Sequence, residues 1–163
     1  MTLDHGLARW LGRWDLVPDG APIETPTSLV LPVRHRGEPA MLKIAREEEE
    51  RRGGRLMAWW NGEGAARVLA HDEPALLLER LDGERSLAAM VAAGHDDEAS
   101  RILCDVLARL HAPRRGAPPA LAPLAHWFEA LTAAARTHGG FLAEADRMAD
   151  RLLASQRDVV VLH

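Results

Sequence analysis

"AMLKIAREEEE", residues 40–50, is the stretch on which the fold turns. Ala40 to Ala45 is an apolar run of strand length, and Lys43 interrupts it. A lysine inside such a strand either snorkels from a sheet edge or points into a cleft where its charge has a partner. Glu47 to Glu50 follow at once and open a helical pattern that continues to about Asn61, since carboxylates suit the positive end of a helix dipole. On that helix Glu49, Gly53, Leu56 and Trp60 fall on one stripe, so Glu49 shares a side with the apolar anchors. Glu50 competes for the same inward role.

Working outward, "SLVLPV" before this stretch alternates at Leu29, Leu31 and Val33. Joined to "AMLKIA" by "RHRGEP", it predicts a hairpin with a somewhat long turn. Pro32 marks an edge strand or a bulge. Upstream, Leu3, Leu7, Trp10, Leu11 and Trp14 recur at helical spacing, and "VPDGAP" is a loop. Downstream, "ARVLA" and "ALLLERL" are two further strands joined by "HDEP". After Gly83 the pattern is almost purely helical, with a stripe at Ile102, Leu103, Val106, Leu107 and Leu110. A Pro-rich break follows, then helices through "HWFEALTAAARTH" and "FLAEADRMADRLLASQ", and a last short strand, "DVVVL". The expected division is 1–82, an N-terminal helix and mixed lobe, and 83–163, a helical lobe. A cleft between two such lobes is where a small ligand binds.

The 163 residues suffice for one domain or two small lobes. With 20 basic against 24 acidic residues the net charge is -4, which gives no field for nucleic acid or an anionic membrane. No segment has the length and apolarity to cross a bilayer, so the expectation is a cytoplasmic protein without membrane partners. Cys104, the one cysteine, is expected to be a small buried hydrophobe in its helix. The histidines show no zinc spacing. Trp10, Trp14, Trp59, Trp60 and Trp127 are expected on packed helical faces. Ser86 before "LAAM" reads as a helix cap.

A strand lysine held by a glutamate of the next helix is the device that aims an ammonium at ATP phosphates. "LLLERLDGERSL" adds an apolar strand that leaves the sheet through Glu79, Arg80 and Leu81, exposing main-chain donors and acceptors of the kind that read adenine.

The succession "LVLPV…GEPAMLKIA", "EEEERRGGRLMAWWNGEGAARVLAHD", "ALLLERLDGERSL", "LARLHAP" and "VVVLH" resembles the aminoglycoside phosphotransferase group, in particular its streptomycin 6-kinase and hydroxyurea phosphotransferase branch. "WWNGEGAARVLAHDEPALLLER" is its most specific piece. The resemblance implies an α+β, bilobal protein-kinase-like fold: a small antiparallel sheet lobe with one helix, then the first helices of a helical lobe. It implies that Lys43 contacts ATP phosphates with Glu49 as its helix partner, that Ser28 lies in the loop over the phosphates, and that Glu79 and Leu81 offer main-chain hydrogen bonds to adenine. His163 would open the catalytic loop, whose Asp, together with the Asn and Asp that position magnesium, falls after His163 in the family pattern. On this reading the chain is truncated before its catalytic Asp, its ligands for Mg are absent, and it is an inactive fragment of an ATP-dependent kinase for a small-molecule acceptor such as streptomycin or hydroxyurea. The alternative is a non-catalytic nucleotide-binding or partner-binding module. Acceptor identity and oligomeric state are not legible.

Overall fold

A computed structural model describes residues 5–81, 83, 85–157 and 160–161 of the chain. In chain order the elements are α1 (His5–Arg13), β1 (Leu16–Pro18), β2 (Ile23–Glu24), β3 (Ser28–His35), β4 (Glu38–Ala45), α2 (Glu48–Trp60), β5 (Val68–Asp72) and β6 (Ala75–Glu79). Helices follow: α3 (Leu87–Ala92), α4 (Asp96–His111), α5 (Leu124–Trp127), α6 (Glu129–His138) and α7 (Gly140–Ala154). The strands form one antiparallel sheet in the order β1-β3-β4-β6-β5, with β2 beside β1 on the outer edge of β3. This is the expected α+β architecture, a sheet with a helix inserted between β4 and β5.

The β3–β4 hairpin is tighter than the sequence predicts. His35 pairs with Glu38, leaving only Arg36 and Gly37 in the turn, at φ 55° and 85°. Two successive positive φ values give the turn whose twist matches that of the flanking strands, so the strands extend through "RH" and "EP". Pro32 makes no bulge, and β3 is an inner strand, flanked by β4 and by the short β1 and β2. The Pro32 carbonyl accepts from Asp19 N at 2.9 Å, so the backbone groups of Pro32 face away from β4, where its missing donor falls between β1 and β2 and costs no ladder bond.

Strand alternation divides the sheet into two faces. Leu29, Leu31 and Val33 lie across from Ile44, Leu42 and Ala40, and these across from Ala75, Leu77 and Glu79. On this face Leu7 and Trp10 of α1 close the main hydrophobic cluster, in which Val33, Ala40, Leu42, Ala75 and Leu77 are fully buried. Each such leucine or valine contributes roughly 1.5–3 kcal/mol by its removal from water. The opposite face carries Val30, Lys43 and Leu76 in one row, and α2 packs on it against β4 and β5. Leu56 and Trp60 are the buried residues of α2.

The helix ends where Asn61 turns into the left-handed region and donates its N–H to Met57 O at 3.0 Å. Gly64, at φ 85°, is closely packed: a Cβ there would stand 3.1 Å from Arg109 Cβ and from Leu110 Cγ and Cδ2 of α4, which would have to give by a few tenths of an ångström. Arg114 locks the same junction, donating to the carbonyls of Leu110, Arg109 and Glu63 at 2.6, 2.7 and 2.9 Å, with its guanidinium over the Trp59 ring. The "NGEG" of the most specific sequence piece is therefore where α4 meets the sheet-bearing half.

Residues 1–119 and 120–163 form two compact units. The change from strands to helices, between Glu79 and Leu87, falls inside the first. In the second, α6 and α7 pack together, and Thr132 donates to Asp146 Oδ1 at 2.7 Å. Ser86 caps α3, its hydroxyl accepting from Ala89 N.

Three further expectations are corrected. Cys104 is exposed: the buried residues of α4 are Ala99 and Leu110, and even Leu103, on the same side of the helix as these two, is 51% exposed. Trp127 is 59% exposed, lying at the end of the four-residue α5 rather than on a packed stripe. Of the expected last strand, Val160 and Val161 belong to no strand, and Asp158, Val159 and Leu162 lie outside the described residues.

Candidate functional site

Lys43 sits in the middle of β4, paired in register with Val30 on one side and Leu76 on the other. These apolar neighbours and α2 leave its side chain 31% exposed, and its ammonium is in contact with the Glu50 carboxylate. A cation so placed is held away from bulk water yet still reachable. The pairing corrects the expected partner, since Glu49 is exposed while the Glu50 side chain is 25% exposed. Leu56 and Trp60 define the buried stripe near the end of α2, but its first turn is set by a different neighbour. The Arg46 N–H donates to Thr27 O at 2.8 Å, which brings the helix entry alongside the β2–β3 turn. There the Thr27 hydroxyl donates to Glu50 Oε1 at 2.9 Å.

Glu50 thus accepts from two sides. Burial raises the pKa of its carboxyl, but hydrogen bonds from Lys43 and Thr27 and the charge of Lys43 outweigh that, and the net shift is downward. The carboxylate stays ionised and fixes the ammonium. Neither Thr27 nor this role of Glu50 follows from periodicity; the only sequence signal was the hydroxyl-rich "TPTS" before a strand.

Ser28 is also corrected. It is 3% exposed, and its hydroxyl is bonded to Thr25 Oγ1 at 3.0 Å. Thr25 Oγ1 also accepts from Ser28 N at 2.9 Å, and Thr25 N donates to Ser28 O at 2.9 Å. Ser28 shapes the turn from inside rather than presenting a hydroxyl above it. Arg46 closes the turn from below, reaching Thr25 O at 3.2 Å and Glu24 Oε2 at 3.1 Å.

Glu79 ends β6 opposite Ala40, three residues along from the Lys43 row, or ~10 Å by strand rise. Its carboxylate accepts from Arg67 N at 2.7 Å on the face away from Lys43, and its own N–H donates to Arg67 O at 3.0 Å, so Arg67 engages both. Leu81 follows in the connector, 64% exposed. Between them Arg80 donates to Asp19 Oδ2 at 2.6 Å, and Asp19 also pairs with Arg34 at 3.4 Å. The Arg80 hydrogen bond holds the Asp19 carboxyl below its usual pKa against some desolvation, with Arg34 adding to the effect. This tie, which fastens the strand exit to the β1–β3 edge, was not visible in the sequence. His163 lies outside the described residues. Among the described residues no three His, Cys, Asp or Glu side chains gather as metal ligands, and no helix is long and apolar enough to cross a membrane.

Comparison with known proteins gives this geometry a family. The sequence model described as aminoglycoside/hydroxyurea antibiotic resistance kinase matches residues 13–163. Streptomycin 3''-kinase of Klebsiella pneumoniae is 52% identical over 151 residues, covering 93% of this chain and 56% of that protein. Streptomycin 6-kinase of Streptomyces griseus is 42% identical over 119 residues, 71% of this chain and 37% of its own length. Hydroxyurea phosphotransferase of Kitasatospora aureofaciens is 38% identical over 144 residues, 85% of this chain and 41% of its own length. The chain thus spans about half the length of these relatives, or less.

Proposed function

This chain belongs to the aminoglycoside/hydroxyurea antibiotic resistance kinase family, and from that premise we propose that it forms the ATP-binding side of a phosphotransferase acting on a hydroxyl of a small-molecule antibiotic, of the streptomycin or hydroxyurea kind named for its relatives. The observation that carries this is Lys43: a partly shielded ammonium, fixed by Glu50, projecting from the middle of the sheet. Such a group suits a polyphosphate, because its charge is oriented before the ligand arrives and little is lost to ordering it. The main chain at Glu79 and Leu81 lies one strand away, at a separation that lets a base sit at the strand exit while phosphates reach the ammonium. ATP is the donor in this reading and arrives with magnesium, to which the described residues offer no ligand cluster.

Within these limits the residues have definite tasks. Lys43 withdraws charge from the phosphate oxygens and orients the chain of phosphates, and Glu50 keeps Lys43 aimed. The β2–β3 turn covers that region with a fixed backbone. Proton removal from the acceptor hydroxyl belongs to the Asp that the family pattern puts after His163. Residues 1–163 are expected to bind nucleotide through Lys43.

Thermal unfolding of the 163-residue chain with and without Mg-ATP tests the binding half. At a ligand concentration a hundredfold above Kd, binding stabilises by about 2.7 kcal/mol, and Lys43→Ala should remove most of that gain. A wild-type chain indifferent to ATP, or a Lys43→Ala chain stabilised as strongly as wild type, overturns the proposal. Turnover by the same chain in a coupled ATP assay with streptomycin would show that the general base lies within these residues after all.

A further inference from the structure

We infer that Thr27 is a positioning residue for the phosphate-binding lysine, acting through Glu50; this rests on the nucleotide reading of Lys43. Thr27 is exposed at the tip of the β2–β3 turn, so its side chain adds nothing to a core. Its hydroxyl nevertheless donates to Glu50 Oε1 at 2.9 Å, while Glu50 Oε2 holds Lys43. One carboxylate thereby joins the turn to the lysine, and each of its oxygens has a separate task. A carboxylate held by Lys43 alone could rotate about its terminal torsions and carry the flexible ammonium with it; a second donor on the other oxygen stops that rotation.

The turn is itself rigid enough to serve as an anchor. Thr25 and Ser28 are cross-bonded through backbone and hydroxyls, and Arg46 ties the turn to the end of β4 through Thr25 O and Glu24. Hence Thr27 does not follow Glu50; Glu50 is registered against Thr27. The turn that would lie over the phosphates and the ammonium that would contact them are set by one hydrogen-bonded chain, Thr27–Glu50–Lys43, and the sequence has no glycine-rich loop there to move independently.

The test compares ATP with adenosine as probes, using the full 163-residue chain and its Thr27→Val, Thr27→Ser, Lys43→Ala and doubly substituted Thr27→Val/Lys43→Ala forms, with Kd read by calorimetry. A residue acting through the lysine affects only ligands that carry phosphates. Thr27→Val is expected to weaken ATP about threefold to tenfold, the range for one hydrogen bond of ordinary net strength, and to leave adenosine unchanged. Thr27→Ser should restore ATP affinity, since it keeps the hydroxyl. On the Lys43→Ala background Thr27→Val should cost nothing further, because the two act as one unit. The inference is overturned if Thr27→Val binds ATP like wild type, if it weakens adenosine and ATP alike, or if its effect adds in full to that of Lys43→Ala. A Lys43→Ala chain that discriminates ATP from adenosine as well as wild type does so would instead remove the nucleotide reading, and the Thr27 inference with it.

Discussion

Glu50→Gln, set against Glu49→Gln, is the sharpest test of the site geometry, because the two residues are adjacent and chemically identical. Glu50 and Lys43 are 25% and 31% exposed, between the fully exposed pair, worth at most about 1 kcal/mol, and the buried pair, whose breaking costs about 3–5 kcal/mol. Neutralising Glu50 also weakens the acceptor used by Thr27. A cost of about 1–2 kcal/mol is expected, a fall in Tm of roughly 3–6 °C for a chain of this size. Glu49 is exposed, and its substitution should stay within about 0.5 kcal/mol. Acid supplies a second, independent sign. The Glu50 carboxyl titrates below its ordinary 4.5 in the folded chain, so its stabilising contribution is complete above that value and is lost as pH falls through the lowered folded pKa. Differential scanning calorimetry from pH 7 to pH 3 should show a wild-type advantage over Glu50→Gln that is flat near neutrality and closes at the acid end. Equal Tm losses for the two variants, or an advantage that grows toward acid, would refute the Lys43–Glu50 assignment.

Trp60→Ala removes a side chain that is 1% exposed and should cost about 3–5 kcal/mol, read as a fall in the urea midpoint. Gly64→Ala forces a side chain at φ 85° against Leu110 and Arg109; a loss above 1 kcal/mol is expected, and a neutral result would mean α4 does not seat there. Arg80→Ala frees the strand exit from Asp19 and should weaken adenosine and ATP by the same factor in calorimetry, since it acts on the main chain at Glu79 and Leu81 and leaves Lys43 intact.

Periodicity carried the sheet because strand alternation is a local property. Leu29, Leu31 and Val33 and the row around Leu42 announce one buried face in the sequence itself, and the same alternation places Lys43 on the other. The bounds of α2 were legible for a similar reason: Glu47 and Asn61, the limits of its apolar and acidic pattern, are the residues that flank Glu48–Trp60. Pro32 misled because a proline reports only on its own N–H. Whether that group faces a neighbour depends on how far β1 and β2 extend, which no residue of β3 encodes. Cys104 misled for the opposite reason: an apolar helical window is buried only where a neighbour covers it, and in α4 Ala99 and Leu110 are the residues so covered.

The site was half legible along the same line. Lys43 stands out because it breaks a local pattern, whereas its partner is decided by a contact between residues 23 apart, Thr27 and Glu50. Extending the Leu56–Trp60 stripe backward gives Glu49, and it would be right if α2 met nothing but the sheet. The β2–β3 turn adds a second surface at the first helical turn, and that surface selects the next residue round the helix. The same turn does without glycines: its backbone is shaped by Thr25, Ser28 and Arg46 instead of by permissive φ values. On the proposed nucleotide reading, a polyphosphate arriving there would meet a turn and an ammonium already ordered with respect to each other, so the entropy of arranging them would be spent in folding rather than in binding.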